Sequence, residues 1–175
     1  MRDYEVCLPE NEEWCVPASI QTILRSRGIG ISQEEIAVNF PDHLEGGFFR
    51  GFEFSEELFQ KFLRLGKFKL KCKFLNPLLH FEIYQGVDVF LNEIKDDETT
   101  DVLVAYDLKS HQGETRRKRI DHLAVLLNYS FNSDEVRVTG IEREPYKDIP
   151  LQLLVENLHP DKNKNYGFYV IENEP

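Results

Sequence analysis

Cysteine is scarce in this sequence, because its 175 residues contain only Cys7, Cys15 and Cys72. An odd number of cysteines, none in a CxxC-type pair, argues against a disulfide framework and against a zinc site. Reduced thiols of this kind are typical of the cytosol. We therefore expect three free thiols, and a special role for any one of them must come from its position in the fold.

Long apolar runs are also lacking. No stretch approaches the roughly 20 apolar residues that a membrane-spanning helix requires. The N-terminal stretch MRDYEVCLPENEEW is acidic and has no apolar segment of the kind found in signal peptides. These features predict a globular, cytoplasmic protein with no membrane partner, unless the chain is exported by a route that needs no N-terminal signal.

Basic charge is in short supply as well. The formal net charge is -10 at pH 7, and we expect no nucleic-acid partner because phosphates attract a basic surface. Residues 67–74 alternate Lys with apolar side chains, which predicts a half-buried strand with one solvated face. The RRKR cluster at 116–119 is typical of a solvated loop; at the rim of a cleft it would instead favour acidic substrates.

The apolar pattern changes from helical to strand spacing along the chain. Helical spacing over residues 15–27 ends at Gly28, Ser32 and Glu35 have the spacing of a capping box, and Ser55 begins a third helix. Short alternating or β-branched runs follow, with a hairpin turn at FNSDE. The predicted strands cover residues 68–75, 101–108, 122–130, 135–142 and 166–172. Further helices are predicted within 81–97 and 149–159, and an irregular loop over 41–54.

Helices first and an antiparallel sheet second predict an α+β fold. The length suits one domain with a real core, and no linker divides the chain, so we expect a single domain over residues 1–175.

Cys15 stands where the first predicted helix begins. The N-terminus of a helix presents unpaired N–H groups and a partial positive charge, which stabilise a thiolate, the nucleophilic form of cysteine. Pro17 is tolerated in a first turn, and the small Ala18 allows another element to approach. The N–H group of Cys15 could also face a developing oxyanion. The alternative is that Cys15 is a small buried hydrophobic residue.

A cysteine nucleophile requires a histidine that is distant in sequence and near in space. Four of the five histidines lie in loop-like or polar stretches, namely His43, His80, His111 and His159. His122 instead opens the apolar run HLAVLLNYS, and a rigid strand can aim an imidazole ring. The alternative is a histidine with a structural role at the end of a strand.

The stretches WCVPASIQTILRSRG and DHLAVLLNY together resemble the papain-like cysteine peptidases, and most closely their bacteriocin-processing, double-glycine leader peptidase-like branch. In that branch a Cys-x-x-Ala helix start is followed, much later in the chain, by a histidine at the head of a sheet strand. Cys15, Ala18 and His122 match this order. The resemblance implies a papain-like fold, with N-terminal helices packed on a C-terminal antiparallel sheet. It further implies a thiol protease that cleaves a peptide or isopeptide bond and needs no cofactor or metal.

The sequence departs from this family at two positions. The family usually carries a Gln shortly before the cysteine as an oxyanion donor, and here Asn11 is the only side-chain amide near that place. The family also expects an Asp or Asn that orients the histidine, and here Glu142 is the nearest carboxylate, with Glu144 behind it. Asp121 adjoins His122, but successive strand residues point to opposite faces. The predicted catalytic residues are therefore Cys15, His122, Glu142 and Asn11, with Glu142 as a solvated surface charge the alternative.

Two other functions fit the same residues. The first is an acyltransferase, in which an amine replaces water at the thioester; the second is a binding module that has lost activity. Whichever holds, a protein or peptide is the expected partner. The stretch HLEGGFFRGFEF could form a flexible lip whose glycines let an extended, glycine-containing peptide approach the backbone. Alternatively, its Phe side chains belong to the core and its glycines only turn the chain.

Overall fold

A computed structural model describes eleven segments of the chain. These are residues 3–11, 13–45, 48–49, 54–65, 69–75, 84–94, 96–107, 121–130, 132–139, 144–158 and 166–173. Helices dominate the described residues up to 65, and most of those that follow belong to one sheet. The predicted α+β fold is therefore confirmed.

The three N-terminal helices begin where local signals place them. They are α1 (Cys15–Ser26), α2 (Gln33–Val38) and α3 (Glu56–Arg64). Ser32 and Glu35 form the predicted capping box at the start of α2. At the start of α3 the hydroxyl of Ser55 accepts a hydrogen bond from the Leu58 N–H at 3.1 Å. After α1 the chain passes through Gly28 at a φ of +81°, a left-handed conformation that glycine adopts without strain.

Residues 41–54 contain short regular pieces where the sequence predicted an irregular loop. Pro41–His43 forms a 3-10 turn, and the two-residue strands β1 (Leu44–Glu45) and β2 (Phe48–Phe49) pair antiparallel. The loop prediction is therefore wrong for these residues. A ladder of two residue pairs is too short to leave an alternating pattern in the sequence.

The main sheet has six strands in the order β3-β8-β4-β5-β6-β7, and every neighbouring pair is antiparallel. The strands are β3 (Leu70–Leu75), β4 (Asp101–Asp107), β5 (Asp121–Ser130), β6 (Glu135–Thr139), β7 (Tyr146–Pro150) and β8 (Gly167–Asn173). Two helices join them, α4 (Tyr84–Ile94) and α5 (Leu151–Asn157). The five predicted strands and both predicted helices are confirmed. Within the described ranges, no helix is long and apolar enough to cross a membrane.

Strand β7 has no counterpart in the prediction. It lies at the edge of the sheet, and only Ile149 in it is buried. Pro150 lacks an N–H group, which is tolerated on an edge strand. Because an edge strand buries so little, its residues need no apolar alternation, and the sequence signal is weak.

The other edge of the sheet is covered by side chains of α3. The Gln60 amide donates from Nε2 to the Leu70 carbonyl and accepts the Cys72 N–H at 2.8 Å. Glu56 accepts the N–H of Phe74 at 2.5 Å. As predicted, β3 itself alternates buried Leu70 and Cys72 with exposed lysines.

Helices cover both faces of the central strands. The side chains of α1, α2 and α3 form one core with Leu103, Leu123 and Val125. The side chains of α4 and α5 form a second core with Ala124 and Leu126. Successive residues of β5 therefore face opposite cores, as strand geometry requires. Burial on both faces also explains why β4 and β5 are apolar almost throughout.

A buried ion pair fixes the C-terminal end of α1 to the sheet. Arg27, directly after α1, contacts Asp101 at the start of β4 with an Nη2–Oδ2 distance of 2.5 Å. Their side chains are 5% and 0% exposed. Tyr4 donates its hydroxyl to the same carboxylate at 2.6 Å, and Arg27 Nη1 donates to Asn173 Oδ1 at 2.8 Å. One end of the helix is thus held by charge-assisted hydrogen bonds.

Candidate active site

Cys15 is the first residue of α1, as predicted. The Ala18 N–H donates to the Trp14 carbonyl at 3.0 Å, so the helical hydrogen bonds begin immediately before the cysteine. Cys15 is partly exposed, whereas Cys7 and Cys72 are buried, and none of the three forms a disulfide. The position combines access with the partial positive charge of a helix N-terminus.

A small cleft of about 10 Å³ lies where α1 meets β5. Its lining residues come from α1, from β5 and from two other parts of the chain: Cys7, Pro9, Cys15, Ala18, Ser19, His122, Leu123 and Thr139. Cys15 and His122, which the sequence singled out far apart in the chain, therefore line the same space. The small Ala18 also lines it, in keeping with the expectation that another element approaches α1 there.

Hydrogen bonds hold the two sides of this cleft together. The buried hydroxyl of Ser19 donates to the Leu123 carbonyl at 3.1 Å. Ser19 follows Cys15 by four residues, one helical turn, so both lie on the same face of α1. Leu123 directly follows His122. The Thr139 hydroxyl accepts the Val125 N–H at 3.0 Å and joins β6 to the same region.

His122 lies near the start of β5, and the residue is only 5% exposed. Its ring packs edge-on against Tyr106, with 5.4 Å between the centroids and 82° between the planes. The two residues are direct partners in the β4–β5 ladder. Burial raises the pKa of Tyr106, and the charge of nearby Cys15 raises it further, so Tyr106 stays a neutral phenol.

The other residues that the sequence singled out lie either outside the lining of the cleft or outside the described residues. Asn11 is exposed, its backbone carbonyl accepts the Trp14 N–H at 3.3 Å, and it lies outside the set of described residues that line the cleft. Glu142 is outside the described residues, and Glu144 is exposed. His43 lies in the 3-10 turn. The remaining histidines, His80, His111 and His159, fall outside the described residues, as does the RRKR cluster.

Several residues around the cleft were not found from the sequence. Pro9, Ser19, Thr139 and Tyr106 carry no local motif, and each reaches the site only through tertiary packing. The one signal available was that Ser19 shares the helix face of Cys15. A polar side chain on an otherwise apolar helix face can mark such a contact.

A larger depression lies elsewhere, between β5, β6 and β7, and has a different character. It is lined by Asn128, Ser130, Ser133, Glu135, Arg137 and Asp148. The guanidinium of Arg137 is already bound to the Asp148 carboxylate, by two hydrogen bonds of 2.7 and 2.8 Å. Among the described residues that line this depression, none carries a thiol or an imidazole. We therefore place the candidate active site at the smaller cleft.

The three thiols should differ in reactivity. Burial raises the pKa of Cys7, despite the opposing effect of Arg25, and burial raises the pKa of Cys72 to about 12. Both stay protonated near neutral pH, so a limiting dose of iodoacetamide near pH 6 should label Cys15 first. Mass spectrometry of the digested protein measures each site. The urea-unfolded chain, in which all three should react alike, is the control; equal labelling in the folded protein would contradict a nucleophilic role for Cys15.

Comparisons with known proteins support the fold. No protein-family model matches the chain, and a comparison with curated protein sequences finds no match. Among solved structures, the chain is similar to a double-glycine motif protease from an AMS/PCAT transporter, in complex with the leader peptide. The TM-score is 0.57 and the sequence identity 12%, over 98% of this chain and 93% of that one. The predicted resemblance is confirmed: the chain has an α+β, papain-like fold, with N-terminal helices packed on an antiparallel sheet.

Proposed function

We propose that the protein is a thiol-dependent hydrolase that cleaves a peptide or isopeptide bond, with Cys15 as nucleophile and His122 as general base. The observation that carries this proposal is the shared cleft, which joins a cysteine at a helix start to a histidine near the head of a strand. A thiol and an imidazole at one site are the minimum machinery of covalent catalysis by cysteine.

The proposed reaction has two stages. His122 takes the proton of the Cys15 thiol, and the thiolate attacks the carbonyl carbon of the substrate. The oxyanion that forms is stabilised by the N–H group of Cys15 at the start of α1. The carbon–nitrogen bond then breaks, and the amine leaves with the proton from His122. Finally, His122 takes a proton from water, whose oxygen attacks the thioester and releases a carboxylic acid and the free thiol.

The assisting residues belong to the same proposal. Asn11 would supply an oxyanion amide and Glu142 would orient His122. Neither role gains direct support, since Asn11 is exposed and Glu142 lies outside the described residues. The edge-on contact with Tyr106 restricts rotation of the imidazole, and so it supports a fixed orientation of the His122 ring without a carboxylate.

One observation favours a second candidate, a papain-like binding module without turnover. The cleft is lined by Pro9 from the segment that precedes Cys15, while Asn11 lies outside the lining set of described residues. A proline has no side-chain donor, and loss of one oxyanion donor costs about 10²–10³-fold in rate. An inert Cys15 would favour this candidate, and a reactive Cys15 the hydrolase.

The proposed substrate is an exposed, glycine-containing segment of a partner protein, met in the cytosol. The similar protease is in complex with a leader peptide, which makes a peptide the reasonable class of substrate to test here. The small volume of the cleft and the proline in its wall favour a residue without a side chain beside the scissile bond.

A panel of fluorogenic peptides that differ only before the scissile bond tests the substrate. We expect turnover that favours Gly over Ala and Leu, because the narrow cleft excludes larger side chains. The Cys15→Ala variant is the matched control and should be inactive. Turnover only in the presence of an amine acceptor would indicate an acyltransferase. No turnover on any peptide, together with an inert Cys15, would favour the binding module over both enzymes.

A further inference from the structure

A buried glutamine of α2 forms hydrogen bonds with the chain segment that lines one side of the cleft. The segment is residues 7–10, and its members Cys7 and Pro9 line the cleft beside Cys15. Gln33, 1% exposed, accepts the N–H of Glu10 at 3.0 Å through Oε1. It donates from Nε2 to the Leu8 carbonyl at 2.7 Å. One amide thus holds the backbone on both sides of Pro9.

Gln33 is itself held from α1, the helix that carries Cys15. Its Nε2 also donates to Oε1 of Gln21 at 3.0 Å, and Gln21 donates from Nε2 to the Ile31 carbonyl at 2.8 Å. Both donors and the acceptor of the Gln33 amide are therefore used. A second tie comes from Thr22 of α1, whose hydroxyl accepts the Cys7 N–H at 3.0 Å. The 7–10 segment is thereby fixed relative to the helix of the nucleophile.

We infer that Gln33 is a positioning residue of the active site, which sets the distance between the Pro9 wall and Cys15 and so limits the size of the group that can reach the thiol. The inference rests on the proposed function, because it concerns access of a substrate to the nucleophile. It follows from where the amide binds: a displacement of Leu8 or Glu10 moves Pro9 directly, and Pro9 faces the cleft.

A purely structural amide offers a contrast within the same protein. Gln60 holds the backbone of β3 in the same two-point manner, through the Leu70 carbonyl and the Cys72 N–H. The residues it binds lie outside the lining of the cleft. Loss of Gln60 should therefore affect stability alone, whereas loss of Gln33 should also change access to Cys15.

The test compares two maleimides with the same reactive group and different size, N-ethylmaleimide and N-pyrenylmaleimide, at Cys15. The ratio of their rates cancels the fraction of thiolate and reports access alone. We expect Gln33→Leu to raise the pyrenyl-to-ethyl ratio at least about tenfold, since small displacements at a site have effects of this size. Gln60→Leu should leave it unchanged. Mass spectrometry assigns labelling to each cysteine, and circular dichroism verifies folding.

A second variant gives a signature that a structural role would not produce. In Gln33→Glu the protonated side chain can donate to Leu8 and accept from Glu10, whereas the ionised side chain repels the Leu8 carbonyl. We expect burial at this position to raise the pKa of the introduced carboxyl above the usual value of about 4.3 for Glu. The ratio should therefore be near that of the wild type at about pH 5 and rise towards pH 8 as the carboxyl ionises. If Gln33→Leu does not fold, the pH dependence of Gln33→Glu still tests the inference.

The result can be interpreted whether or not the protein is a hydrolase, because labelling requires no turnover. An unchanged or lowered ratio in folded Gln33→Leu, or a ratio for Gln33→Glu that does not change with pH, would overturn the inference. A raised ratio without turnover on any peptide would keep Gln33 as a positioning residue and count against the hydrolase alone.

Discussion

Replacement of His122 by Ala should lower Cys15-dependent peptide turnover by about 10³-fold or more, the scale expected when a base that also activates the nucleophile is lost. His122 has two tasks in the proposed reaction, because it removes the thiol proton and later protonates the leaving amine. Loss of both tasks should appear mainly in kcat. Turnover of the best peptide from the fluorogenic panel is the measurement.

Alkylation of Cys15 tests the first of these tasks, removal of the thiol proton, without any turnover. His122→Ala should slow the reaction with iodoacetamide near neutral pH, where the thiolate depends on its partner. Well above about pH 9 the thiol ionises unaided, since an ordinary cysteine has a pKa of about 8.5, and the rates of variant and wild type should converge. Convergence would separate loss of a base from a collapsed site, which would stay slow at every pH.

The other histidines are the matched controls. His43→Ala removes the second histidine among the described residues, from the 3-10 turn, and should leave turnover nearly intact. The same holds for His80, His111 and His159. A large loss in one of these four would move the base away from β5. Full activity of His122→Ala would reduce His122 to a residue that packs on Tyr106.

Asp101→Ala should lower the free energy of unfolding by about 3–5 kcal/mol, the usual cost when one partner of a buried ion pair is removed. The guanidinium of Arg27 would remain buried without its carboxylate, and Tyr4 would lose the acceptor of its 2.6 Å hydrogen bond. Urea denaturation measures the change, and the slope of the unfolding free energy against urea concentration is compared between variants.

An exposed ion pair in the same sheet provides the contrast. Arg137 and Asp148 make two hydrogen bonds, yet their side chains are 42% and 36% exposed. Arg137→Ala should therefore cost only about 0–1 kcal/mol. Combining Arg27→Met with Asp101→Leu should recover much of the stability lost in Asp101→Ala, because two apolar side chains leave no buried charge. Equal costs for the Asp101 and Arg137 variants would contradict this account.

The sequence was informative wherever a local signal determined the structure. The start of α1 at Cys15, the capping box at Ser32 and the cap at Ser55 all depend on contacts within a few residues. Strands buried on both faces were equally clear from their apolar composition. Strand β7 and the β1–β2 pair were not, because an edge strand and a two-residue ladder bury too little to constrain composition.

Within the candidate site, too, only residues with a local sequence signal could be predicted. Cys15 and His122, which line one cleft, were singled out because each occupies a distinctive position within its own element. Asn11 was chosen for its nearness in sequence, which does not bring a side chain into a cleft. Pro9 and Gln33 could not be predicted, because their importance comes from hydrogen bonds between segments far apart in the chain. Such pairings are invisible to any pattern within one element.

The ion pair between Arg27 and Asp101 lies at the opposite end of α1 from Cys15. A helix of 12 residues is about 18 Å long, so the two ends are independent in their immediate surroundings. Substitutions at that distance usually have additive effects. Heat tolerance could therefore be adjusted by evolution or by engineering at Arg27 without altering the reactivity of the thiol. Substrate preference could likewise drift through the residues around Cys15 while the melting temperature stays constant.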